Sequence, residues 1–140
     1  MRLRLAAAAL ALSAIGQPVM AMGPTITMHQ DPNCGCCTGW AQHMRAHGFN
    51  VEVVMAQDLA QVKADHNVPM RLASCHTARV HETGQVIEGH VPASAVRKML
   101  LDTSIEGVAA PGMPANSPGM GPMDGNLLTV DFEGRPFSRD

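Results

Sequence analysis

Apolar residues recur along this chain at two spacings, every second position in short runs and every third to fourth in longer ones, and the two alternate. Thr25-Ile26-Thr27-Met28 alternates and predicts a first strand. Asp31-Pro32-Asn33 is a turn. From Cys36 to about His47 the period becomes helical, with Cys37, Trp40, Ala41 and Met44 at i, i+3, i+4 and i+7 on one stripe, and Gly48 suits the position that ends the helix. Asn50 to Met55 reads as a second, buried strand. Asp58 is a natural N-cap for a second helix that places Leu59, Val62 and His66 on one face. Val68-Pro69 interrupts the chain before a segment from Leu72 to His76, and Arg79–His81 with Gln85–Glu88 predicts a hairpin turned at Thr83-Gly84. Pro92 opens a third helix whose core face is Ala95, Val96, Met99 and Leu100.

The resulting order, β-α-β-α-β-β-α, is that of a thioredoxin-like α/β sandwich, although periodicity alone does not fix which strands pair. Beyond it the composition changes. From Gly107 to Gly125, Gly and Pro alternate with Met113, Met120 and Met123, a stretch unsuited to a sustained helix or strand. Such a long loop in a small domain is usually functional or disordered. Leu127 to Phe132 is expected to be the final strand.

The amino-terminal segment has a different character. Arg2 and Arg4 precede an apolar run from Leu5 to Gly16, and Val19-Met20-Ala21 supplies small residues for cleavage, which reads as a secretory signal peptide spanning 1–21. The run is shorter than the roughly 20 residues of a membrane span, and no later segment approaches that length. The expected mature chain, 22–140, has the size of a single domain. With one Trp, three Phe and no Tyr, its core must come from Val, Leu, Ile, Ala and Met. A formal charge of −2 without a basic patch argues against a nucleic-acid partner.

The candidate chemistry is concentrated in four cysteines: Cys34, Cys36 and Cys37, separated only by Gly35, and Cys75 in Ser74-Cys75-His76-Thr77. Three readings compete. As structural disulfides they allow three pairings, of which only Cys34–Cys37 with Cys36–Cys75 avoids a bridge between adjacent or nearly adjacent residues. As a thiol–disulfide oxidoreductase, Cys34 and Cys37 form a C-x-x-C pair between a strand and a helix, where the helix terminus favours thiolate, but Cys36 then has no role. As a metal site, adjacent thiolates suit neighbouring ions in a cluster, and Cu(I) accepts such soft, low-coordinate sulfur. Cys75 and His76 could close that site if the third strand lies beside the first helix.

Softer donors add less. Met113, Met120 and Met123 carry thioethers, though methionine is also a general gap-filler. His43 and His47 lie one turn apart but flank the apolar stripe, as a solvated face would. His90, just before the third helix, suits a capping or orienting role. His29, His66 and His81 show no informative spacing.

Four motifs in order complete the picture: Asp31-Pro32-Asn33-Cys34-Gly35-Cys36-Cys37, Ser74-Cys75-His76-Thr77-Ala78, Glu88-Gly89-His90-Val91-Pro92-Ala93, and Pro111-Gly112-Met113-Pro114 with Ser117-Pro118-Gly119-Met120. Together they resemble the CopG-type periplasmic copper-resistance proteins, over about Thr25 to Met120. The resemblance implies a thioredoxin-like fold, a cysteine-bridged cluster of several Cu(I) ions held by Cys34, Cys36, Cys37 and Cys75, and a capacity for Cu(I)/Cu(II) redox chemistry. It points to a metal-binding resistance protein rather than to an established enzyme. Copper ions are the implied partner, with other periplasmic copper-handling proteins as further candidates that no residue here identifies. Asp124 to Asp140 falls outside the match.

Overall fold

A seven-stranded mixed sheet organises the computed structural model, which describes residues 23–140; the signal-peptide reading of 1–21 lies outside the described residues. The elements run β1 (Thr25–Gln30), α1 (Gly35–Ala46), β2 (Asn50–Met55), α2 (Leu59–Asp65), a short 3-10 turn (Met70–Leu72), β3 (His76–Val80), β4 (Val86–Gly89), α3 (Ala93–Leu100), β5 (Gly107–Ala110), β6 (Leu128–Asp131) and β7 (Pro136–Arg139). Across the sheet the order is β2-β1-β3-β4-β5-β6-β7. β1 pairs parallel to β2 and antiparallel to β3, β3 antiparallel to β4, β4 parallel to β5, and β5, β6 and β7 antiparallel in turn.

Alternation along the strands divides the interior in two. Ile26 and Met28 of β1, Ala78 and Val80 of β3, Ile87 of β4, and Val108 and Ala110 of β5 face the main core, where α1 contributes Cys37, Trp40, Ala41 and Met44 and α3 contributes Ala95, Val96 and Met99. Fully burying each large side chain in this layer stabilises the fold by about 1.5–3 kcal/mol. Trp40 adds a buried hydrogen bond, its indole N–H donating to the Val91 carbonyl at 2.8 Å. The opposite face holds a smaller cluster of Val68, Leu72, Val86, Ala109 and Phe132.

α1 ends as its sequence requires. Gly48 takes φ +88°, its N–H donates to the Arg45 carbonyl, and the Phe49 N–H reaches back to Met44. That is the Schellman arrangement, which needs a left-handed residue.

Four expectations are corrected. β2 is an edge strand rather than a buried one: with a single neighbour, it buries only Val51 and leaves Val53, Val54 and Met55 exposed. The second helix starts at the expected cap, Asp58 Oδ1 accepting the Gln61 N–H at 2.9 Å, but Leu59, Val62 and His66 are only half-buried and its buried residue is Lys63. The Gly/Pro/Met stretch starts with a strand, because Gly107–Ala110 pairs with β4 and is buried throughout. Finally, β6 is followed by β7 after a turn at Gly134, where the Asp131 carboxylate accepts the Arg135 N–H at 2.9 Å.

Candidate metal centre

The turn that delivers the chain into α1 is held by its own aspartate. The Asn33 N–H donates to Asp31 Oδ1 at 2.8 Å, and the Cys34 N–H to the Asp31 carbonyl at 3.0 Å. Cys34 caps α1 without a side-chain hydrogen bond, so Cys36 and Cys37 lie in the first turn, where backbone N–H groups lack helical partners and carry partial positive charge. Register brings the second stretch to this end of the sheet: Gln30, last in β1, stands opposite His76, first in β3. Cys75 therefore lies beside the first turn of α1.

All four sulfurs lie within 4.8 Å of one another. Cys34 and Cys37 are joined by a disulfide, while Cys36 and Cys75 are free thiols. Cys36 Sγ is 3.5 Å from Cys34 Sγ, and Cys75 Sγ is 3.5 Å from Cys37 Sγ. The second bridge allowed by pairing arithmetic, Cys36–Cys75, is not formed. Burial, reinforced by nearby Cys36, pushes the Cys75 thiol up to about 11, with the Ser74 hydroxyl opposing the shift.

Two imidazoles complete the pocket. Cys37, Cys75, His76 and His90 place one donor atom each within 4.8 Å of one another. His90 Nε2 is 3.0 Å from Cys75 Sγ, and its Nδ1–H donates to the Pro118 carbonyl at 2.6 Å. This bond fixes the tautomer and turns the Nε2 lone pair toward the sulfurs. His76 is fully buried against Trp40, ring centroids 4.5 Å apart, with Nδ1 3.6 Å from Cys75 Sγ and Nε2 without a hydrogen-bond partner. Burial lowers the pKa of both rings, that of His76 well below the ordinary value, with His90 the next cause for His76. Both are therefore neutral near pH 7, as metal ligands must be.

The Gly/Pro/Met loop covers this pocket. Ser74 Oγ donates to the Gly112 carbonyl, Pro118 holds His90, and Gly119 lies directly on α1. A Cβ on Gly119 would stand 2.6 Å from both the Cys36 carbonyl oxygen and the Trp40 nitrogen, and one on Gly39 would stand 2.9 Å from Gly119 Cα. Two glycines meet because nothing larger fits.

Other expected donors lie elsewhere or are engaged. The rings of His43 and His47 are 4.3 Å apart, but His43 Nε2 accepts the Ala93 N–H at 3.1 Å. Met113, Met120 and Met123 are exposed. The sequence suited His90 to capping or orienting, with metal ligation as the lesser reading, and its Nε2 lies 3.0 Å from Cys75 Sγ. Sequence reasoning missed Lys63 and Glu88 altogether. Glu88 Oε1 accepts from Lys63 Nζ at 2.5 Å and from the Ser74 N–H at 2.7 Å, so a carboxylate on the far face fixes the backbone beside Cys75. The signal for Glu88 was its place in the His90 motif; nothing marked Lys63.

Fold and pocket together define a mixed α/β protein with a cluster of sulfur and imidazole donors able to hold metal. Two solved structures, named "Copper resistance protein copG- Form 1" and "Copper resistance protein copG- Form 2", are each 37% identical to this chain, covering 81% of it and 94% and 93% of their own lengths, with TM-scores of 0.70 and 0.71. The chain belongs to this CopG-type family. A family model described as "Protein of unknown function, DUF411" matches residues 72–120, which include Cys75, His76, His90 and the covering loop. No curated protein matches. Among the described residues no helix is long and apolar enough to cross a membrane.

Proposed function

We propose that this protein is exported to the periplasm and there captures Cu(I) in a multinuclear, cysteine-bridged cluster held by Cys34, Cys36, Cys37 and Cys75. The observation that carries the reading is the convergence of four sulfurs within 4.8 Å in a chain of a copper-resistance family. The donor chemistry fits: sulfur is soft, as Cu(I) prefers, and the partnerless Nε2 of buried His76 leaves a donor for a ligand to satisfy. His76 and His90 are further candidate ligands. The thioredoxin-like reading is supported by the β2-β1-β3-β4 portion of the sheet, with β3 antiparallel to both neighbours, and by α1 following β1 directly.

Using all four sulfurs requires two-electron reduction of the Cys34–Cys37 disulfide. The first-turn N–H groups of α1 then offset part of the clustered thiolate charge, and the neutral Nε2 of His90, 3.0 Å from Cys75 Sγ, would be available as a further ligand. Copper bound here supplies one-electron chemistry between Cu(I) and Cu(II). Because ligand thiols must lose protons, affinity falls at acid pH.

One observation favours a second reading. Cys34 and Cys37 form a disulfide at a helix N-terminus, as a metal-free periplasmic thiol–disulfide oxidoreductase would need. Anaerobic titration of the reduced chain with Cu(I), paired with a disulfide-reduction assay, separates the two. The copper reading expects several Cu(I) per chain and a sharp fall in Cys36→Ser. Turnover of a test disulfide without metal, unaffected by Cys36→Ser, together with no Cu(I) uptake, would establish the alternative.

A further inference from the structure

A cavity of about 360 Å³ opens on the α2 face, away from the cysteines. Its size falls at the lower end of the roughly 300–1,000 Å³ typical of small-molecule sites. The cysteine pocket gathers where Gln30 meets His76. This cavity lies at the other end of the sheet, where Arg79 of β3, Val86 of β4 and Gly107 of β5 stand side by side. Its floor is apolar, formed by Val86 and Phe132, both buried. Only glycine at 107 leaves room for the Phe132 ring.

The walls are charged, and the charge is divided across the floor. Arg79 stands on the β3 side of Val86. Glu106, whose carbonyl accepts the Val86 N–H at 3.0 Å, stands on the β5 side. Their backbones are two strand spacings, roughly 10 Å, apart. Neither side chain forms an ion pair among the described residues. The end of α2 adds Asp65, His66 and Asn67 to the lining, and Asp65 accepts from Gln61 Nε2 at 2.7 Å. Burial lowers the pKa of His66, with His29 and Arg79 adding to the shift against Asp65, so the ring is neutral near pH 7. The lining then carries one positive and two negative charges. A simple anion would meet more repulsion than attraction here, and a simple cation would leave Arg79 unanswered. A small ligand bearing both charges satisfies both walls and lays its apolar part on Val86 and Phe132.

We propose that this cavity binds a free amino acid with an apolar side chain, its carboxylate on Arg79 and its ammonium on Glu106. The guanidinium fork suits a carboxylate, which it can hold through two parallel hydrogen bonds. The Asn67 side-chain amide supplies further donors in the same lining. No sulfur lines the cavity, so binding here is separate from metal capture and needs no bond to form or break.

The test titrates three probes separately into the full, metal-free chain, followed by backbone amide shifts in proton–nitrogen NMR. The probes are L-leucine, isocaproate (leucine without its ammonium) and isoamylamine (leucine without its carboxylate). Leucine is expected to shift the Asn67, Gly84 and Glu106 amides saturably and to bind on the order of tenfold tighter than either half. Arg79→Gln is expected to weaken leucine by on the order of tenfold without weakening isoamylamine. Glu106→Gln is expected to erase the preference for leucine over isocaproate. Both side chains are exposed, so both variants should melt at the wild-type temperature. Absence of a saturable shift with leucine, isocaproate binding the wild type as tightly as leucine, leucine affinity unmoved in both variants, or shifts spread outside the cavity would each overturn the site. The copper titration reads other residues, so these outcomes leave the cysteine cluster standing.

Discussion

Two buried polar clusters sit at the same end of the sheet, back to back across β3 and β4, and they differ in how completely they are satisfied. On the α2 face, Lys63 Nζ donates to Glu88 Oε1 at 2.5 Å and to Thr77 Oγ1 at 2.9 Å, while Thr77 donates to Glu88 Oε2 at 2.7 Å and the Ser74 N–H supplies a further donor. On the α1 face, the sulfurs and imidazoles stand close without such closure, and His76 Nε2 has no partner. Buried polar groups in folded proteins are almost always hydrogen-bonded. The closed cluster therefore reads as structure, and the open one as a site arranged for something further. Adjacent residues carry the contrast: Cys75 and His76 belong to one cluster, Ser74 and Thr77 to the other.

The largest expected effect comes from breaking the closed cluster. Lys63→Met leaves Glu88 charged and buried, which costs about 3–5 kcal/mol, read as a fall in the denaturation midpoint. Refolded Lys63→Met should still bind wild-type amounts of copper if the α2 cluster serves the fold alone. A lost copper count in folded protein would show that Glu88, through Ser74, also sets the position of Cys75.

Next in size is the strap that covers the open cluster. Gly119 has φ +88° and no space for a methyl group, so Gly119→Ala should cost about 1–3 kcal/mol and lift the loop from α1. Faster alkylation of Cys36 and Cys75 by a small thiol reagent, and loss of the fixed His90 tautomer in nitrogen NMR, are the expected signs. Unchanged alkylation would mean that the loop does not shield the pocket.

Smaller still is the expected gain from removing the unsatisfied group. His76→Phe keeps a ring against Trp40 and deletes the partnerless nitrogen, so the metal-free chain should be more stable by about 1 kcal/mol while binding less copper. A variant that loses stability would show that His76 has a partner in solution.

Finally, burial lowers the pKa of His43, His66, His76 and His90 in the folded protein below the ordinary 6.5, with His47 and His29 the next contributors for His43 and His66. The unfolded chain then binds more protons in that window, so stability of the metal-free protein falls as pH drops below about 6.5 and continues to fall toward the native pKa values. Thermal melts from about pH 7 to about pH 5 should show this slope, shallower in His76→Phe.

Much of this comparison could be read in the chain, and the failures have physical causes. The α1 stripe was legible because Cys37, Trp40, Ala41 and Met44 repeat at helical spacing and all are buried. β5 was not, because Gly107, Ala109 and Ala110 have little strand preference and form a strand only by pairing with β4. β7 opens on Pro136 at the sheet edge, a position strands tolerate but do not announce. Nothing local marked Lys63, since its partner Glu88 lies 25 positions away in sequence. At the site, the crowding of Cys34, Cys36 and Cys37 was evident from spacing alone. The approach of Cys75 depends on the β1–β3 register, and the aim of His90 on a carbonyl 28 residues distant; neither is a local property.

The central claim is best tested by X-ray absorption at the copper edge on the reduced, Cu(I)-loaded chain. The account predicts a first shell dominated by sulfur, an edge characteristic of Cu(I), and a copper–copper contribution that disappears in Cys36→Ser. A shell of nitrogen and oxygen donors without a copper neighbour, or a spectrum indifferent to the loss of Cys36, would contradict it.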